Sequence, residues 1–468
     1  CDLSVVIRKL EVWRQLFPRI KPFFAVKCNP DKMVTAVLGQ YILETGFDCA
    51  SISEIKLALD STTSSNPKRC IYANPQRAMS DLEKALELGV RTLTFDGLEE
   101  LHKVRRLYET RCRQWQEQDE QDTESARPLL PEMVLRIVVP DGASSVPLGE
   151  KFGAPPARVA ALTEEALCLG LPVVGVSFHC GSGCHDPNAY GTAIQLAKEA
   201  MDTINSVILS HQHANPHKVD EPWLFRPCTL LDIGGGFPGI DGHGGDIGRF
   251  SGTPHELTDM SQHNAYAQNM ENATSSIAAV VTPLVDQLFS VQEEDSNHQP
   301  IQIISEPGRY FVEAAFALCS RIYSKRIGER VIIERSETDN GSSSSIFRRH
   351  YYIAQGVQGV FKDVLLCGES FLPIPLHMQE NHGNEKNPQH LDPNDATNNT
   401  LYPSTIHGPS GEDIDVVCVD CMLPELENGD WLLFDRMGAY TLSIAASSGS
   451  LPIRYVFGGG ILSNDNHE

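Results

Sequence analysis

PFFAVKCNP, residues 22–30, places a short apolar run, Phe23 to Val26, directly before a lone cation, Lys27. Such a run reads as a buried strand, and a lysine at its C-terminal end stands where barrel enzymes keep their chemistry. Taken alone, Lys27 is better read as a snorkelling surface group. If buried, its pKa falls and the free amine becomes available for a Schiff base. Working outward, the same strand-then-helix unit recurs: FDCAS before SEIKLALD, CIYAN before DLEKALELG, TLTFD before GLEELHKVRRLYETR, and later MVLRIVV, VVGVSFHCG, TLLDIGGG and IQIISEPGRY. Units of this kind from about residue 20 to 310 predict parallel strands with helical crossovers, and so many in succession favour a closed (β/α)8 barrel over an open doubly wound sheet. Beyond about residue 312, RVIIE, HYYIAQGV, DIDVVCVD and DWLLFD are apolar runs with turns between them. They predict a mainly antiparallel β domain. The expected division is 1–312 and 313–468, with N-terminal residues joining the second domain.

Composition bounds the function. With 468 residues, 41% of them hydrophobic, and a mean hydropathy of -0.22, the chain is that of a water-soluble protein with a large core. No apolar stretch spans a bilayer, and CDLSVVIRKLEVW lacks a signal-peptide layout. Residue 1 is Cys rather than Met, which leaves any preceding targeting segment open. The 38 Lys+Arg against 61 Asp+Glu give a net charge of -23, which argues against nucleic acid or anionic membrane as partners. The 13 cysteines are scattered and odd in number, and Cys28, Cys49 and Cys319 lie in apolar segments, so a reducing, cytoplasmic setting is expected. Cys418 and Cys421 form a CxxC without a second pair or a neighbouring His; no metal site and no redox role are expected there. Four polar segments read as insertions without regular structure: 114–129, 211–222, 239–270 and 378–404. Their histidines, including His211, His213, His217 and His243, read as solvated loop residues.

Four strand-end motifs carry chemistry. GFDCAS supplies Asp48; SFHCGSGC supplies His179 and Ser182; LDIGGGFPG supplies Gly234, Gly235 and Gly236; SEPGRYFV supplies Glu306, Pro307, Gly308 and Arg309. Consecutive glycines let backbone N–H groups converge into an anion nest, and an arginine adds a bidentate clamp on the same phosphate. Each motif alone also fits a tight turn or a local ion pair. Together, each at the end of a different barrel strand, they supply a phosphate nest, a condensing lysine, an imidazole and a carboxylate for a ring nitrogen. Those are the parts that bind pyridoxal phosphate.

On PFFAVKCN, GFDCASISEI, IYANP, KFGA, SFHCGSGC, LDIGGGFPG, EPGRYFV, HGPSGEDID and LPELENGDWLLFDRMGAYT, the chain resembles the ornithine decarboxylase family of fold-type III pyridoxal-phosphate enzymes. The resemblance implies a (β/α)8 barrel plus a β domain, and a head-to-tail homodimer with two active sites at its interface. It assigns the Schiff-base lysine to Lys27, the stacking imidazole to His179, and phosphate contacts to Ser182, Gly235, Gly236, Arg309 and Tyr440. Glu306, flanked by Pro307 and Gly308, matches the carboxylate on the pyridine nitrogen. Asp48, Glu54 and Arg136 match supporting polar groups, and Lys151 and Asp415 match a pair that joins the subunits.

The substrate half departs from the family pattern. Where the family has a cysteine that directs protonation, followed by an aspartate for the distal amine, this chain has Gly411 and Glu412. A Tyr-Asp pair aligns with Leu366 and Cys367, and Gln355 and Gln358 also differ from the usual residues. Glycine offers no proton, so that role falls to Lys27, water or another group. The resemblance implies decarboxylation of a basic L-amino acid, ornithine to putrescine first; lysine, arginine or diaminopimelate are the alternatives, and Leu366 in the pocket would suit a less polar one. A catalytically inactive regulator resembling antizyme inhibitors is the competing class. The family's antizyme-binding region falls near the acidic insertion at 114–129, and antizyme binding is not expected.

Overall fold

The computed structural model describes residues 1–41, 45–62, 65–119, 128–149, 151–216, 221–239, 260–290, 300–333, 344–379, 387–390, 400–445, 451–457 and 460–461. Two compact units form: one holds Leu3–Pro238 and Ala273–Phe311, the other Cys1–Asp2 and the chain from Val312 onward.

The first unit is a closed barrel of eight strands. In chain order they are β1 (Ile20–Ala25), β2 (Gly46–Cys49), β3 (Cys70–Tyr72), β4 (Thr92–Phe95), β5 (Glu132–Arg136), β7 (Val173–Ser177), β9 (Leu230–Asp232) and β10 (Gln302–Ser305). Every neighbouring pair is parallel, and β10 closes on β1 through Ile20–Ile303 and Pro22–Ser305. The remaining two strands of this unit, β6 (Ser144–Val146) and β8 (Ser182–Cys184), form an antiparallel pair outside the barrel. Strands buried on both faces read as continuous apolar runs, which is why FFA and MVL showed no alternation. Phe23, Ile71, Ala73, Val134 and Ile304 form one buried cluster. Gly46 makes room for it, since a Cβ there would lie 2.4 Å from the Phe23 ring.

An N-terminal helix, Leu3–Leu16, buries Val6, Leu10 and Trp13. The Trp13 ring meets Phe17, Phe237 and Tyr310 at centroid distances of 4.5, 4.9 and 5.3 Å. Phe237 follows the triple glycine and Tyr310 follows Arg309, so one aromatic cluster anchors both loops expected to hold phosphate.

The second unit is a seven-stranded sheet ordered β14-β13-β17-β11-β12-β15-β16. Its strands are β11 (Leu318–Ile333), β12 (Ser344–Ile353), β13 (Ile374–Gln379), β14 (Asn387–His390), β15 (Tyr402–His407), β16 (Val416–Leu423) and β17 (Trp431–Phe434). All pairings are antiparallel except β12 with β15. Cys1 and Asp2 belong here: the Cys1 amino group donates to the Arg454 carbonyl, and the Asp2 N–H to that of Ala315.

Several segments expected to lack regular structure carry it. A helix runs from Leu98 to Asp119 into the 114–129 segment, and another from Pro187 to Ala214 places His211 and His213 in its last turn. His211 is half-buried near the Phe225 ring rather than solvated in a loop. Met260–Leu288 is helical, and β13, β14 and β15 occupy parts of 378–404. Polarity misled the reading because a long helix keeps one face polar whenever only the other packs. Residues 120–127, His217 and His243 lie outside the described residues.

Candidate active site at the C-terminal mouth of the barrel

Strand register gathers the chemistry at one end. Ala25 pairs with Asp48, Arg136 with Ser177, and Ser177 with Asp232, so the carboxyl ends of β1, β2, β5, β7 and β9 stand side by side. Lys27 follows β1, His179 follows β7, Gly234 to Gly236 follow β9, and Glu306 to Arg309 follow β10.

Lys27 sits not in the strand but in a 3-10 turn, Val26–Cys28, just beyond it. Its Nζ lies 2.9 Å from Asp48 Oδ2; the Asp48 side chain is wholly buried, the Lys27 side chain 36% exposed. A buried carboxylate needs a paired charge, and Lys27 supplies it. Glu54, three residues into the Ile52–Ser61 helix, accepts the Ser51 hydroxyl at 2.8 Å and the Ala50 N–H at 2.8 Å, while Ser51 Oγ accepts the Glu54 N–H. This is a capping box that fixes the turn after Asp48. Burial pushes the Glu54 carboxyl above its ordinary pKa.

The glycine turn is forced by close approach. A Cβ on Gly234, whose φ is +67°, would lie 2.0 Å from the Phe178 carbonyl; one on Gly235 would lie 2.6 Å from that of Glu306. The Gly234 carbonyl accepts from the Glu306 N–H and the Ser305 hydroxyl, both at 2.7 Å. The N–H groups of Gly235 and Gly236 have no hydrogen-bond partner among the described residues. His179 Nδ1 accepts the Gly181 N–H at 2.9 Å, which puts the ring proton on Nε2. Burial and the nearby Arg136 and Lys27 charges hold His179 well below its usual pKa, so the imidazole is neutral. Pro307 accepts the Ala25 N–H, and Gly308 packs where a Cβ would lie 2.8 Å from Cys28 Cβ; the SEPG loop is thereby tied to β1. Arg309 opens the short helix Arg309–Val312. Ser182 opens β8 opposite Val146, and the Arg136 guanidinium lies 4.9 Å over the Phe152 ring.

Asp232, within the quoted LDIGGG motif but given no role there, completes the site. Its Oδ1 accepts the Gly234 N–H at 2.9 Å, and its register opposite Ile304 sets it at the end of β9 beside the strand that leads into Glu306. Burial and the adjoining carboxylates push Asp232 up to about 7 and Glu306 well above its usual range. The sequence signal was an acidic residue ending an apolar strand just before the glycine turn.

Asp48 Oδ1, Ser177 Oγ and Asp232 Oδ2 are buried with no hydrogen-bond partner among the described residues. Two unpartnered amides, three orphaned oxygens, a lysine and the buried Glu306 carboxyl fit a phosphorylated, protonated pyridine aldehyde.

Stability of the cofactor-free protein should therefore fall as pH rises. An acid whose folded pKa is raised holds its proton in the native state while the unfolded chain has lost it. For Asp232 the window runs from its ordinary 3.8 to about 7. Melting temperatures of the apoprotein across that window should decline, and Asp232→Asn should flatten the profile; an unchanged profile in the variant rules out a proton held on Asp232.

The other expected site residues, except Lys151, belong to the sheet unit. Glu412 Oε2 accepts from Gln358 Nε2 at 2.7 Å, so two departures from the family pattern pair with each other. Gly411 is exposed, and nothing lies within 4 Å of where its Cβ would stand. Leu366, 62% exposed, and Cys367 end a short helix, Asp363–Cys367, in which Cys367 Sγ approaches Asp363 Oδ1 at 3.9 Å. Tyr440 adopts φ +55°, a conformation unusual for a large side chain. Asp415 is buried and accepts the Val357 and Ser410 N–H groups at 2.9 and 2.8 Å. Lys151, in the barrel unit, is exposed.

Comparisons agree with this arrangement. Residues 3–215 match the pyridoxal-binding domain of pyridoxal-dependent decarboxylases, and residues 200–438 match their C-terminal sheet domain. Antizyme inhibitor 2 of Xenopus laevis is 35% identical over 96% of this chain and 77% of its own length. Ornithine decarboxylase of Panagrellus redivivus is 31% identical over 96% of this chain and 81% of its own. The crystal structure of the Paramecium bursaria Chlorella virus arginine decarboxylase bound to agmatine, 27% identical, superposes with a TM-score of 0.67 over 96% of this chain and 92% of that one. With both domains matched in order on a closed barrel and a following sheet, the chain belongs to the pyridoxal-dependent decarboxylases that act on basic amino acids.

Proposed function

We propose that this protein decarboxylates L-ornithine to putrescine. The observation that carries the reading is the Lys27–Asp48 pair at the mouth that also holds the Asp232–Glu306 carboxyls and the unpartnered Gly235 and Gly236 amides. Lys27 would hold the cofactor aldehyde, and Gly235, Gly236, Ser182 and Arg309 its phosphate. Glu306 would hold the ring nitrogen and His179 the ring face. When bound, pyridoxal phosphate supplies an electron sink for the charge left at Cα as CO2 departs. The protein's own part is electrostatic. Asp48 keeps Lys27 oriented, Arg136 offsets the negative charge that Asp232 and Glu306 bring to the mouth, and Glu306 is the group to which a ring N–H would donate.

Preference for a distal ammonium rests on Glu412, which Gln358 holds; burying that ammonium unpaired would cost several kcal/mol. Release of CO2 from ornithine, lysine, arginine, diaminopimelate and leucine should rank ornithine first. Turnover of leucine alone would overturn the role of Glu412. Because space is free at Gly411, Gly411→Cys should be tolerated and should raise turnover roughly ten-fold by supplying a proton donor; no gain would show that proton delivery already proceeds through Lys27 or water.

A head-to-tail homodimer with shared sites, joined through Lys151 and Asp415, follows from the family likeness; a sedimentation mass of a single 51.6 kDa chain removes it. A cytosolic setting is supported by 13 cysteines, none in a disulfide, and would be lost if the tagged protein sorted to an oxidising compartment. No helix among the described residues is long and apolar enough to cross a membrane. The 35% identity to an antizyme inhibitor and the changes at Gly411 and Cys367 favour a second reading, a regulator without turnover. Absence of CO2 release from every amino acid in the panel, with the cofactor bound, would establish it.

A further inference from the structure

The CxxC at Cys418 and Cys421 looked inert in the sequence, and β-strand geometry alone would make it so, because residues three apart on a strand point to opposite faces. The sheet changes this. On β15, Ser404 pairs with Cys421 and Ile406 pairs with Cys418, so two residues of β16, Val419 and Asp420, stand opposite the single residue Thr405. That one-residue bulge returns Cys418 and Cys421 to the same face, the one shared by the fully buried Ser404 and Ile406. Asp420 makes the bulge by adopting φ +54°, and Arg348, itself bridged to Glu329, holds its carboxylate at 2.6 Å. Both cysteines are 8% exposed, while Val419 between them is 64% exposed, and β16 is an edge strand of the sheet. The Cys418 thiol donates to the Val419 carbonyl at 3.7 Å and the Cys421 thiol to the Ser404 carbonyl at 3.4 Å; the interaction of the two thiols draws Cys418 below the usual thiol range and, with burial, pushes Cys421 well above it.

We propose that Cys418 and Cys421 are a reversible dithiol site, oxidised by low-molecular-weight disulfides to an intrastrand disulfide across the bulge. The Cys418 thiolate attacks one sulfur of the incoming disulfide and releases one thiol. Cys421 then loses its proton and attacks Cys418 Sγ, releasing the second thiol. Two electrons pass from the cysteine pair to the reagent, and each released thiolate takes up one of the two protons lost. The other cysteines do not share this arrangement. Cys49 and Cys70 lie on β2 and β3 of the closed barrel, which has no edge strand, and both are buried. Position on an edge strand, beside the exposed Val419, is what distinguishes Cys418 and Cys421.

The test uses the whole protein loaded with pyridoxal phosphate, equilibrated with glutathione at graded ratios of reduced to oxidised form, then alkylated and digested. The peptide carrying residues 418–421 should lose both alkylation sites together and about 2 Da of mass, and recover on reduction. Cys421→Ser should instead trap a glutathione adduct on Cys418, and Cys418→Val should leave Cys421 alkylatable at every ratio. Asp420→Gly, which tolerates positive φ, should preserve disulfide formation. If the native peptide stays fully alkylated at every ratio yet oxidises once the protein is denatured, the pair is structural and the site does not exist. The same holds if a disulfide forms but does not reverse on return to reduced glutathione.

Discussion

Lys27→Ala is expected to abolish CO2 release, by on the order of 10⁴-fold or more, and to remove the visible absorption that pyridoxal phosphate acquires when its aldehyde condenses with a protein amine. Lysine is the only residue in the Lys27–Asp48 pair able to condense with an aldehyde. Alanine, however, also strips the buried Asp48 of its counter-charge, and that alone threatens the fold. Lys27→Arg separates the two effects, since the guanidinium keeps the charge beside Asp48 and does not condense. The arginine variant should melt close to the parent and be equally inactive. Lys27 is a third exposed, so the ion-pair contribution to stability is screened and smaller than for a fully buried pair. An arginine variant that retains visible absorbance or CO2 release would remove Lys27 from the centre of the site.

The barrel half of this site was legible in the sequence because each chemical group follows a strand. Apolar runs end at Ala25, Ser177, Asp232 and Ser305, and Lys27, His179, the glycines and Glu306 come immediately after them. Parallel register then does what spacing along the chain does not show, bringing residues up to 280 apart to one mouth. Asp232 escaped notice because its place beside Glu306, where burial raises both carboxyls, exists only once β9 and β10 are paired. The Gln358–Glu412 bond was hidden for the same reason: each residue was visible as a departure, and only folding makes them partners. The bulge at Asp420 was hidden too, since strand periodicity carries no mark of an inserted residue. The insertions failed differently. Polar composition was taken for missing structure in stretches where a helix packs one face and leaves the rest in solvent.

Glu100→Gln should destabilise the barrel by about 3–5 kcal/mol, lowering its melting temperature by roughly 10 °C. Glu100 lies in the first turn of the Leu98–Asp119 helix, and Arg77 follows β3; both side chains are essentially inaccessible. Arg77 Nε donates to Glu100 Oε1 at 2.8 Å, Nη2 to the Thr94 carbonyl at 2.6 Å and Nη1 to the Tyr72 carbonyl at 3.2 Å. The guanidinium also lies 5.1 Å over the Tyr72 ring. One cation thus ties β3, β4 and the helix after β4 together, and burial pulls its pKa below the ordinary arginine value. Glutamine keeps the shape and removes the charge, leaving Arg77 desolvated against neutral acceptors. Arg77→Met should cost less, because Lys103 remains to pair Glu100. The double variant Arg77→Met/Glu100→Leu should recover much of the loss, as replacing both ions with apolar groups removes the desolvation penalty along with the attraction. Urea unfolding of the four proteins measures this directly. A loss below about 1 kcal/mol for Glu100→Gln would mean that water reaches Arg77 and that the carbonyls of Tyr72 and Thr94, not the ion pair, hold these elements together.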